Sequence, residues 1–354
     1  MPSLMNALVL QEYLKLELMQ YPVPEIGDDE VLVRNRAVGI CGSDVHGIDG
    51  STGRRNPPLI LGHETAGEVA ATGKNAPRFR PGDRVFVDST VYCGKCRNCL
   101  RGSTNMCASA QVLGCSPVKE EWRRHGCFAE FTAVPERIVH ALPDNVSFHR
   151  AALIEPLAVG RHAISLTNIP DDKPVVVVGT GLVGLALISQ LRADGYSVIA
   201  INRGQERLNY AMALGATGLL MNSERLVEQV MDMTDGGPEA VFEAVGEHET
   251  ISLAHRLLTI PGGGQLTILG NMSKTACMPV QTTTTRQVKI QGCRAFPASC
   301  VPPCIRLLEE GRVSVDAWIT ATCDLPAAAN WLLGLNSGAA KAIKIIVEPN
   351  GVAQ

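Results

Sequence analysis

Four cysteines follow one another at short intervals in the pattern C-x2-C-x2-C-x7-C: Cys93, Cys96, Cys99 and Cys107. Structural zinc sites are tetrahedral, and four cysteine thiolates are one of their usual ligand sets. Gly94 and Gly102 give this segment the backbone freedom that tight turns around an ion require. Because four thiolates leave no coordination position open, we predict that residues 93–107 form a lobe around a structural zinc ion.

A second set of metal-binding side chains lies outside this lobe: Cys41, His63, Glu64 and Glu155. Thiolate, imidazole and carboxylate groups all ligate zinc, and a catalytic site keeps one position open for water or substrate. Taken singly, Cys41 or His63 is explained as well by an ordinary buried position. Together, beside the cysteine lobe, the set predicts a second, catalytic zinc ion.

A glycine-rich turn follows a β-branched run in the segment VVVVGTGLVGL and opens a predicted helix. In this context Gly179 permits the tight turn, Gly181 lets a pyrophosphate approach the backbone, and Gly184 lets helix and strand pack closely. Free N–H groups at the helix N-terminus favour anions. We therefore predict a dinucleotide-binding site at Gly179, Gly181, Leu182, Val183 and Gly184.

The end of the next predicted strand bears on the choice of dinucleotide. NAD-binding folds usually place Asp or Glu there to bind the ribose hydroxyls. Here Asn202 takes that place, and Arg203 follows it. A neutral Asn does not repel a 2′-phosphate, and Arg203 could pair with one, helped by Arg207. We predict a preference for NADP(H) over NAD(H); the alternative is that Arg203 is a solvated surface residue and NAD is used.

Length and composition limit the remaining function classes. The 354 residues, 45% of them hydrophobic, are enough for two cores and predict two domains. A net charge of −3 and an aromatic content of 4% argue against nucleic-acid binding and against a membrane surface as partner. The N-terminus lacks the pattern of a signal peptide, and no apolar run has spanning length, so we expect a cytoplasmic protein.

The pattern of short apolar runs changes along the chain. Residues 1–150 show β-rich runs separated by Gly, Pro and Asp turns. Residues 151–294 alternate β-branched runs with helical segments, which indicates a doubly wound parallel sheet. The alternation then stops, and we expect residues 295–354 to return to the first domain. The predicted class is α/β.

These motifs, in this order, resemble the zinc-containing medium-chain dehydrogenase/reductase superfamily, in its polyol branch typified by sorbitol and threonine dehydrogenases. The resemblance runs over essentially the whole chain, through CGSDVH, GHETAG, the cysteine lobe, EPLAVG and GTGLVG. It implies a GroES-like β-rich catalytic domain and a Rossmann domain. It also implies two zinc ions per chain, a nicotinamide cofactor and a homotetramer or homodimer.

The resemblance also implies roles for individual residues. Cys41 and His63 would bind the catalytic zinc, and Glu64 or Glu155 would complete or border its ligand set. Ser43 and His46 match a proton relay, with Glu155 beside the reacting groups. Arg294 falls where polyol dehydrogenases carry an arginine near substrate and cofactor, although the surrounding CRAFP departs from the family pattern.

The implied reaction is the reversible oxidation of a secondary alcohol of a polyol or sugar derivative to a ketone, by hydride transfer to the nicotinamide. Two alternatives within the enzyme class are a threonine-type amino-alcohol dehydrogenase and a sugar-phosphate dehydrogenase. Their substrates carry an anion, for which several arginines are candidates: Arg54, Arg55, Arg123 and Arg124. The non-enzyme alternative is a zinc-bearing binding protein, which an intact Cys41, His63 and Glu155 disfavour.

Overall fold

The computed structural model describes residues 2–116, 123–258, 263–271 and 275–351. The chain divides into two compact units. The first consists of Met1–Glu155, Pro297–Gly311 and Val315–Gln354, and the second of Pro156–Phe296 with Arg312–Ser314. The sequence predicted changes of domain after residues 150 and 294, and the units change after Glu155 and Phe296.

The strands β1 to β18 of the described residues are, in chain order, Leu4–Glu12, Lys15–Pro22, Glu30–Gly39, Leu59–Ile60, Glu64–Thr72, Arg84–Val87, Thr90–Val91, Gln111–Val112, Phe131–Pro135, Val139–Ala141, Val175–Val178, Val198–Asn202, Thr217–Leu220, Ala240–Glu243, Gln265–Ile268, Lys289–Gly292, Ile319–Cys323 and Lys344–Val347. The helices α1 to α11 are Gly42–Val45, Arg97–Leu100, Phe148–Ala152, Ile154–Ser165, Leu182–Ala193, Gln205–Ala213, Leu226–Met233, His248–Leu257, Val280–Thr285, Val301–Glu309 and Leu325–Asn336.

The first unit is built around strand β3, whose residues are almost all buried or half-buried. The described strands form a sheet in the order β10-β6-β5-β3-β18-β17, with β9 also paired to β3, and a smaller sheet β2-β1-β4. Strand β18 comes from the far end of the chain and pairs antiparallel with β3, opposite Val38 and Gly39. The expected return of the C-terminal segment therefore supplies an inner strand of this sheet.

The second unit contains a parallel sheet in the order β13-β12-β11-β14-β15-β16. Its central strand β11 is four consecutive buried valines, the continuous apolar run expected of a parallel strand covered on both faces. The order reverses between β11 and β14, so a crevice lies outside the carboxyl ends of these two strands. The predicted doubly wound α/β class is confirmed.

The sequence from 151 to 167 has a helical pattern that predicts a single helix, but the structure has two helices in this region. Helix α3 is capped by the Ser147 hydroxyl, which accepts from the Arg150 N–H, and it ends at Ala152. A new helix, α4, begins at Ile154 and carries Pro156 in its first turn. Proline has no N–H and is tolerated only there, so it marks a helix start rather than an interior.

Among the described residues, no helix is both long and apolar enough to cross a membrane.

His140 of β10 gives the fold a predictable response to acid. Burial, and secondarily the charge of Arg78, lowers the pKa of His140 to about 4. The unfolded chain takes up this proton near pH 6.5, so stability is kept above that pH and lost as pH falls towards 4. Between pH 7 and pH 4, we expect the free energy of unfolding of His140→Phe to fall by about 3 kcal/mol less than that of the wild type, measured by urea unfolding at both pH values. Equal falls in the free energy of unfolding of wild type and variant would contradict this.

Candidate metal centres and dinucleotide-binding turn

The four cysteines of the lobe converge on one point. Their sulfur atoms all lie within 4.8 Å of one another. Cys93 and Cys99 are 4.0 Å apart, Cys96 and Cys99 3.6 Å, and Cys96 and Cys107 4.0 Å. A tetrahedron with zinc–sulfur bonds of about 2.3 Å has sulfur–sulfur edges of about 3.8 Å. The sulfur geometry therefore fits a four-coordinate zinc ion.

The backbone of the lobe is shaped to present these sulfurs. Gly94 and Gly102 have φ values of +76° and +82°, a region that other residues rarely adopt. The N–H of Cys96 donates to Cys93 Sγ at 3.3 Å. Donation from the Lys95 and Cys96 N–H groups lowers the pKa of the Cys93 thiol to about 6. The turn thus favours the thiolate form that zinc requires.

A second cluster brings together Cys41, His63 and Glu64, whose ligand atoms lie within 4.8 Å of one another. Cys41 follows β3 and stands at the N-cap of α1. Glu64 is the first residue of β5, opposite Gly39 in the β3–β5 register. The pairing of these two strands therefore brings the three side chains together. A thiolate, an imidazole and a carboxylate form a donor set that fits zinc.

Asp44 supports His63 from behind. Asp44 Oδ1 lies 3.4 Å from His63 Nδ1, and Asp44 Oδ2 accepts from the Cys41 N–H at 3.3 Å. Burial alone would raise the pKa of Asp44, but the charges of His63 and Arg55 lower it to about 2. A carboxylate behind a ligating histidine fixes the ring orientation and leaves the other nitrogen for the metal.

Glu64 is held by a buried lysine that the sequence analysis missed. Lys344, the first residue of β18, donates from Nζ to Glu64 Oε2 and, at 2.8 Å, to the Ile40 carbonyl. Both side chains of the ion pair are 1% exposed. A Cβ at Gly39 would collide with Glu64 Oε2, so the glycine makes room for the pair. Metal ligation by Glu64 must use its other oxygen or displace Lys344.

Glu155 is buried in the same unit but lies outside the three-residue cluster. Ser89 Oγ donates to Glu155 Oε1 at 3.2 Å. Burial raises the pKa of Glu155 to about 7, with His63 opposing and Glu64 reinforcing the shift. Asp88 is a further buried acid near it, and burial raises the pKa of Asp88 to about 8. Glu155 is thus placed to border the metal set rather than to join it.

The two predicted relay residues lie on and just after α1. Ser43 is exposed, and its Oγ lies 3.4 Å from Cys41 Sγ, to which it donates. His46 caps the C-terminal end of α1 and is exposed to solvent. Ser43 therefore touches a predicted metal ligand, whereas His46 is open to water.

The glycine turn of the second unit has the features that a pyrophosphate needs. Gly179 has a φ of +99°, and a Cβ at Gly184 would collide with the Gly179 carbonyl oxygen. Gly181 is the N-cap of α5, so the first N–H groups of that twelve-residue helix, which include those of Leu182 and Val183, face outward. Within the described part of the chain, the buried Thr180 hydroxyl has no hydrogen-bond partner. These donors fit a dinucleotide phosphate.

The residues predicted to read the ribose lie at the carboxyl end of β12. Asn202 Oδ1 accepts from the Thr180 N–H at 3.3 Å, which ties the strand end to the glycine turn. Arg203 donates to Glu247 Oε2 and Glu249 Oε2, each at 2.7 Å. Arg207 reaches the turn, because a Cβ at Gly181 would lie 3.8 Å from its Nη1.

Arg294, the predicted substrate residue, is exposed and follows β16 in the second unit. The structure therefore places it in a different unit from Cys41, His63 and Glu64. Its role near substrate stays a prediction.

Two family models match separate parts of the chain. Residues 27–144 match the alcohol dehydrogenase GroES-like domain, and residues 183–310 match the zinc-binding dehydrogenase family. Sorbitol dehydrogenase of Bacillus subtilis is 32% identical over 99% of this chain and 98% of its own length. The chain belongs to the zinc-dependent medium-chain dehydrogenases, in their polyol branch. It is accordingly an enzyme that uses zinc and a nicotinamide cofactor.

Solved structures of other dehydrogenases share the fold over almost the whole chain. A putative zinc-binding dehydrogenase from Sinorhizobium meliloti 1021, bound to NADP, has a TM-score of 0.88 at 28% identity and covers 98% of this chain and 100% of its own. A structure described as a short chain alcohol dehydrogenase from Escherichia coli CFT073, complexed with NADH, has a TM-score of 0.88 at 25% identity with the same coverage. Dehydrogenases of this fold thus bind either dinucleotide.

Four residues of the site escaped the sequence analysis as contributors: Asp44, Arg55, Asp88 and Lys344. Lys344 carried a usable signal, because it stands within the apolar strand sequence KIIV, and a lysine buried there needs an anion. Asp88 directly follows the buried strand β6. Arg55 was noted only as a candidate for an anionic substrate, and nothing near it in sequence indicates burial.

Proposed function

We propose that this dehydrogenase reversibly oxidises a secondary alcohol of a polyol or sugar derivative to a ketone. The observation that carries the proposal is the cluster of Cys41, His63 and Glu64, with Ser43 in contact with Cys41. Sorbitol dehydrogenase is a relative over 99% of the chain, which supports a polyol as substrate. The two other substrate classes that the sequence left open, an amino alcohol and a sugar phosphate, are included in the test below.

The residues of the cluster divide the work between binding and orientation. Cys41 and His63 would hold zinc, which when bound would supply Lewis acidity that eases loss of a hydroxyl proton. A bound nicotinamide would supply the hydride acceptor. Asp44 orients the His63 ring, and Lys344 holds one oxygen of Glu64. Glu155 is buried, which raises the pKa of its carboxyl group, and it places a second carboxyl group beside this set.

The proton of the alcohol would leave through Ser43. Its hydroxyl is exposed and borders the cluster, so it can accept one proton while passing on its own. His46, on the solvent side of α1, would take the proton to bulk water. A second zinc ion, in the four-cysteine lobe, would hold structure only, because it has no open position.

Ser43→Ala tests the relay. A positioned proton-transfer group contributes about 100-fold or more, so we expect kcat to fall by about that factor. Metal analysis should show unchanged zinc content, since Ser43 is not a ligand. Ser51→Ala is the matched control, because Ser51 is an exposed serine whose Oγ donates to the His46 carbonyl. Unchanged turnover in Ser43→Ala would remove Ser43 from the mechanism.

The substrate is tested by following reduced-nicotinamide absorbance with the zinc-loaded protein. The panel contains polyols, polyol phosphates and threonine, each with NAD and with NADP. Turnover chiefly of unphosphorylated polyols supports the proposal. Turnover chiefly of a phosphate or of threonine would replace it with the corresponding alternative, and silence across the panel would contradict it.

For the cofactor, the proposal is a preference for NADP(H) over NAD(H). Asn202 adds no negative charge at the carboxyl end of β12, Arg203 follows it directly, and Arg207 lies beside the glycine turn. Glu247 and Glu249 oppose this preference, because both already bind Arg203. A 2′-phosphate would have to compete with these two carboxylates for the guanidinium.

Two substitutions separate these opposing effects. Arg203→Gln should lower the ratio of kcat/KM for NADP to that for NAD by about 10-fold, the loss of one charge-assisted hydrogen bond. Glu249→Gln should raise the same ratio. Arg225→Gln, which breaks the exposed pair with Glu228, is the control and should leave it unchanged. A ratio that Arg203→Gln does not move would contradict the role of Arg203.

The assembly and its location are also proposals. We propose a homotetramer or homodimer, as the family resemblance implies, and a cytoplasmic location. Light scattering coupled to gel filtration would distinguish these states from a monomer.

A further inference from the structure

Arg55 is a buried cation beside the candidate active site. Its side chain is 4% exposed. Nη2 donates to Ser43 Oγ at 3.2 Å and to Asp44 Oδ1 at 3.4 Å. Nη1 donates to Cys115 Sγ and, at 3.4 Å, to the Arg54 carbonyl. One guanidinium thus joins the relay serine to the carboxylate that supports His63.

The fold makes specific room for this side chain. Gly47 follows α1, and a Cβ there would collide with Arg55 Cγ. The position of Arg55 therefore depends on a glycine one turn beyond Ser43. Burying a guanidinium is costly unless its donors are used. Among the described residues, Arg55 Nε has no hydrogen-bond partner, so the burial depends on the contacts that Nη1 and Nη2 make.

The contact with Ser43 fixes the direction of a proton. A serine hydroxyl has one O–H donor and two acceptor lone pairs. Arg55 always donates, because a guanidinium does not lose its proton in proteins, so it occupies a lone pair of Ser43 Oγ. With that lone pair occupied, Ser43 keeps one lone pair to accept the alcohol proton and one O–H to pass a proton on, and in this structure the O–H donates to Cys41 Sγ at 3.4 Å. The fixed positive charge also favours any negative charge that develops on Oγ during proton transfer.

We propose that Arg55 is a positioning residue for the proton relay, which orients the Ser43 hydroxyl through its Nη2 donor. The inference rests on the proposed function, because it assigns Arg55 its effect through Ser43. Arg55 itself passes no proton and binds no substrate. Substitution of Arg55 should therefore lower kcat and leave the KM values for alcohol and dinucleotide nearly unchanged.

The test is a double-substitution cycle on the zinc-loaded enzyme. Arg55→Met keeps most of the side-chain volume but removes the charge and the donors. We expect it to lower kcat about 10- to 100-fold, the value of a lost hydrogen bond to a charged group, with both KM values within about twofold. On the Ser43→Ala background, Arg55→Met should lower kcat by less than about twofold. Arg55→Lys, which keeps the charge, should retain part of the activity.

Arg84→Met is the matched structural control. Arg84 lies in the same unit, is 23% exposed on its side chain, and donates to the carbonyls of Pro143 and Val146. It should lower the melting temperature without lowering kcat. Zinc content and melting temperature are measured for every variant, so that a fall in kcat is read only from folded, metal-loaded protein.

The outcomes separate the inference from the proposed function. Equal losses from Arg55→Met with and without Ser43 would overturn the inference, because Arg55 would then act elsewhere. A rise in substrate KM at constant kcat would overturn it in favour of anion binding. If Ser43→Ala alone leaves kcat unchanged, the proposed proton relay through Ser43 is contradicted, and the role of Arg55 is contradicted with it. If Arg55→Met fails to fold, guanidinium added at sub-denaturing concentration to Arg55→Ala should restore turnover only when Ser43 is present.

Discussion

Replacing Lys344 by Met should destabilise the first unit by about 3–5 kcal/mol, the cost of leaving a buried charge without its partner. Lys344 and Glu64 are each 1% exposed, so water cannot replace the lost contact. The Ile40 carbonyl loses a donor in the same substitution. The free energy of unfolding from urea titration at pH 7 measures the effect.

The control for this prediction removes both charges. Lys344→Met combined with Glu64→Gln should cost less than the sum of the two single changes, because no unpaired charge remains. An exposed ion pair provides the comparison: Arg225→Met, which removes the partner of Glu228, should cost less than about 1 kcal/mol. A Lys344→Met variant as stable as Arg225→Met would show that the ion pair is not desolvated.

The second large effect is expected in the cysteine lobe. Structural zinc contributes on the order of 10 kcal/mol of apparent binding free energy, which a missing thiolate largely forfeits. Cys96→Ser should therefore release one of the two proposed zinc ions and disorder residues 93–107. Hydrogen exchange should then accelerate at the amide of Cys93, which donates to Cys107 Sγ at 3.3 Å in the folded lobe. The catalytic cluster, with a separate ligand set, should keep its zinc.

Cys277→Ser is the control, since Cys277 is an exposed cysteine outside both clusters. It should retain two zinc ions per chain and wild-type exchange in the lobe. If Cys96→Ser also retains both ions and an ordered lobe, the four thiols do not form a metal site.

The parts of the fold that the sequence predicted well depend on neighbours in the chain. The lobe is contained in residues 93–107, and the glycine turn joins one strand directly to one helix, so spacing alone fixes their geometry. The valine run of β11 predicts a buried parallel strand for the same reason. The break between α3 and α4 was missed, because a helical pattern over 151–167 outweighed the start signal at Pro156.

The parts that escaped prediction join distant positions. Lys344 and Glu64 are 280 residues apart in the sequence. Arg55 contacts Ser43 through a turn whose conformation cannot be predicted from the local sequence. Buried charged side chains are paired by the tertiary fold, and a single sequence shows neither partner. Glu247 and Glu249, which bind Arg203, were missed for the same reason. They follow β14 and Arg203 follows β12, and β11 lies between these two strands in the sheet.

The place of β18 in the first sheet has a consequence for biosynthesis. Residues 156–296 form their unit from nearly contiguous chain and can fold while the ribosome is still translating the rest. The first unit forms later, because its inner strand β18, with the lysine that neutralises Glu64, is translated after residues 156–296. Until β18 has been translated, the edge of β3 and the carboxylate of Glu64 lack their partners and are open to chaperones and proteases. Nascent chains that end before β18 should therefore fold the dinucleotide-binding unit but not the unit that holds the metal cluster.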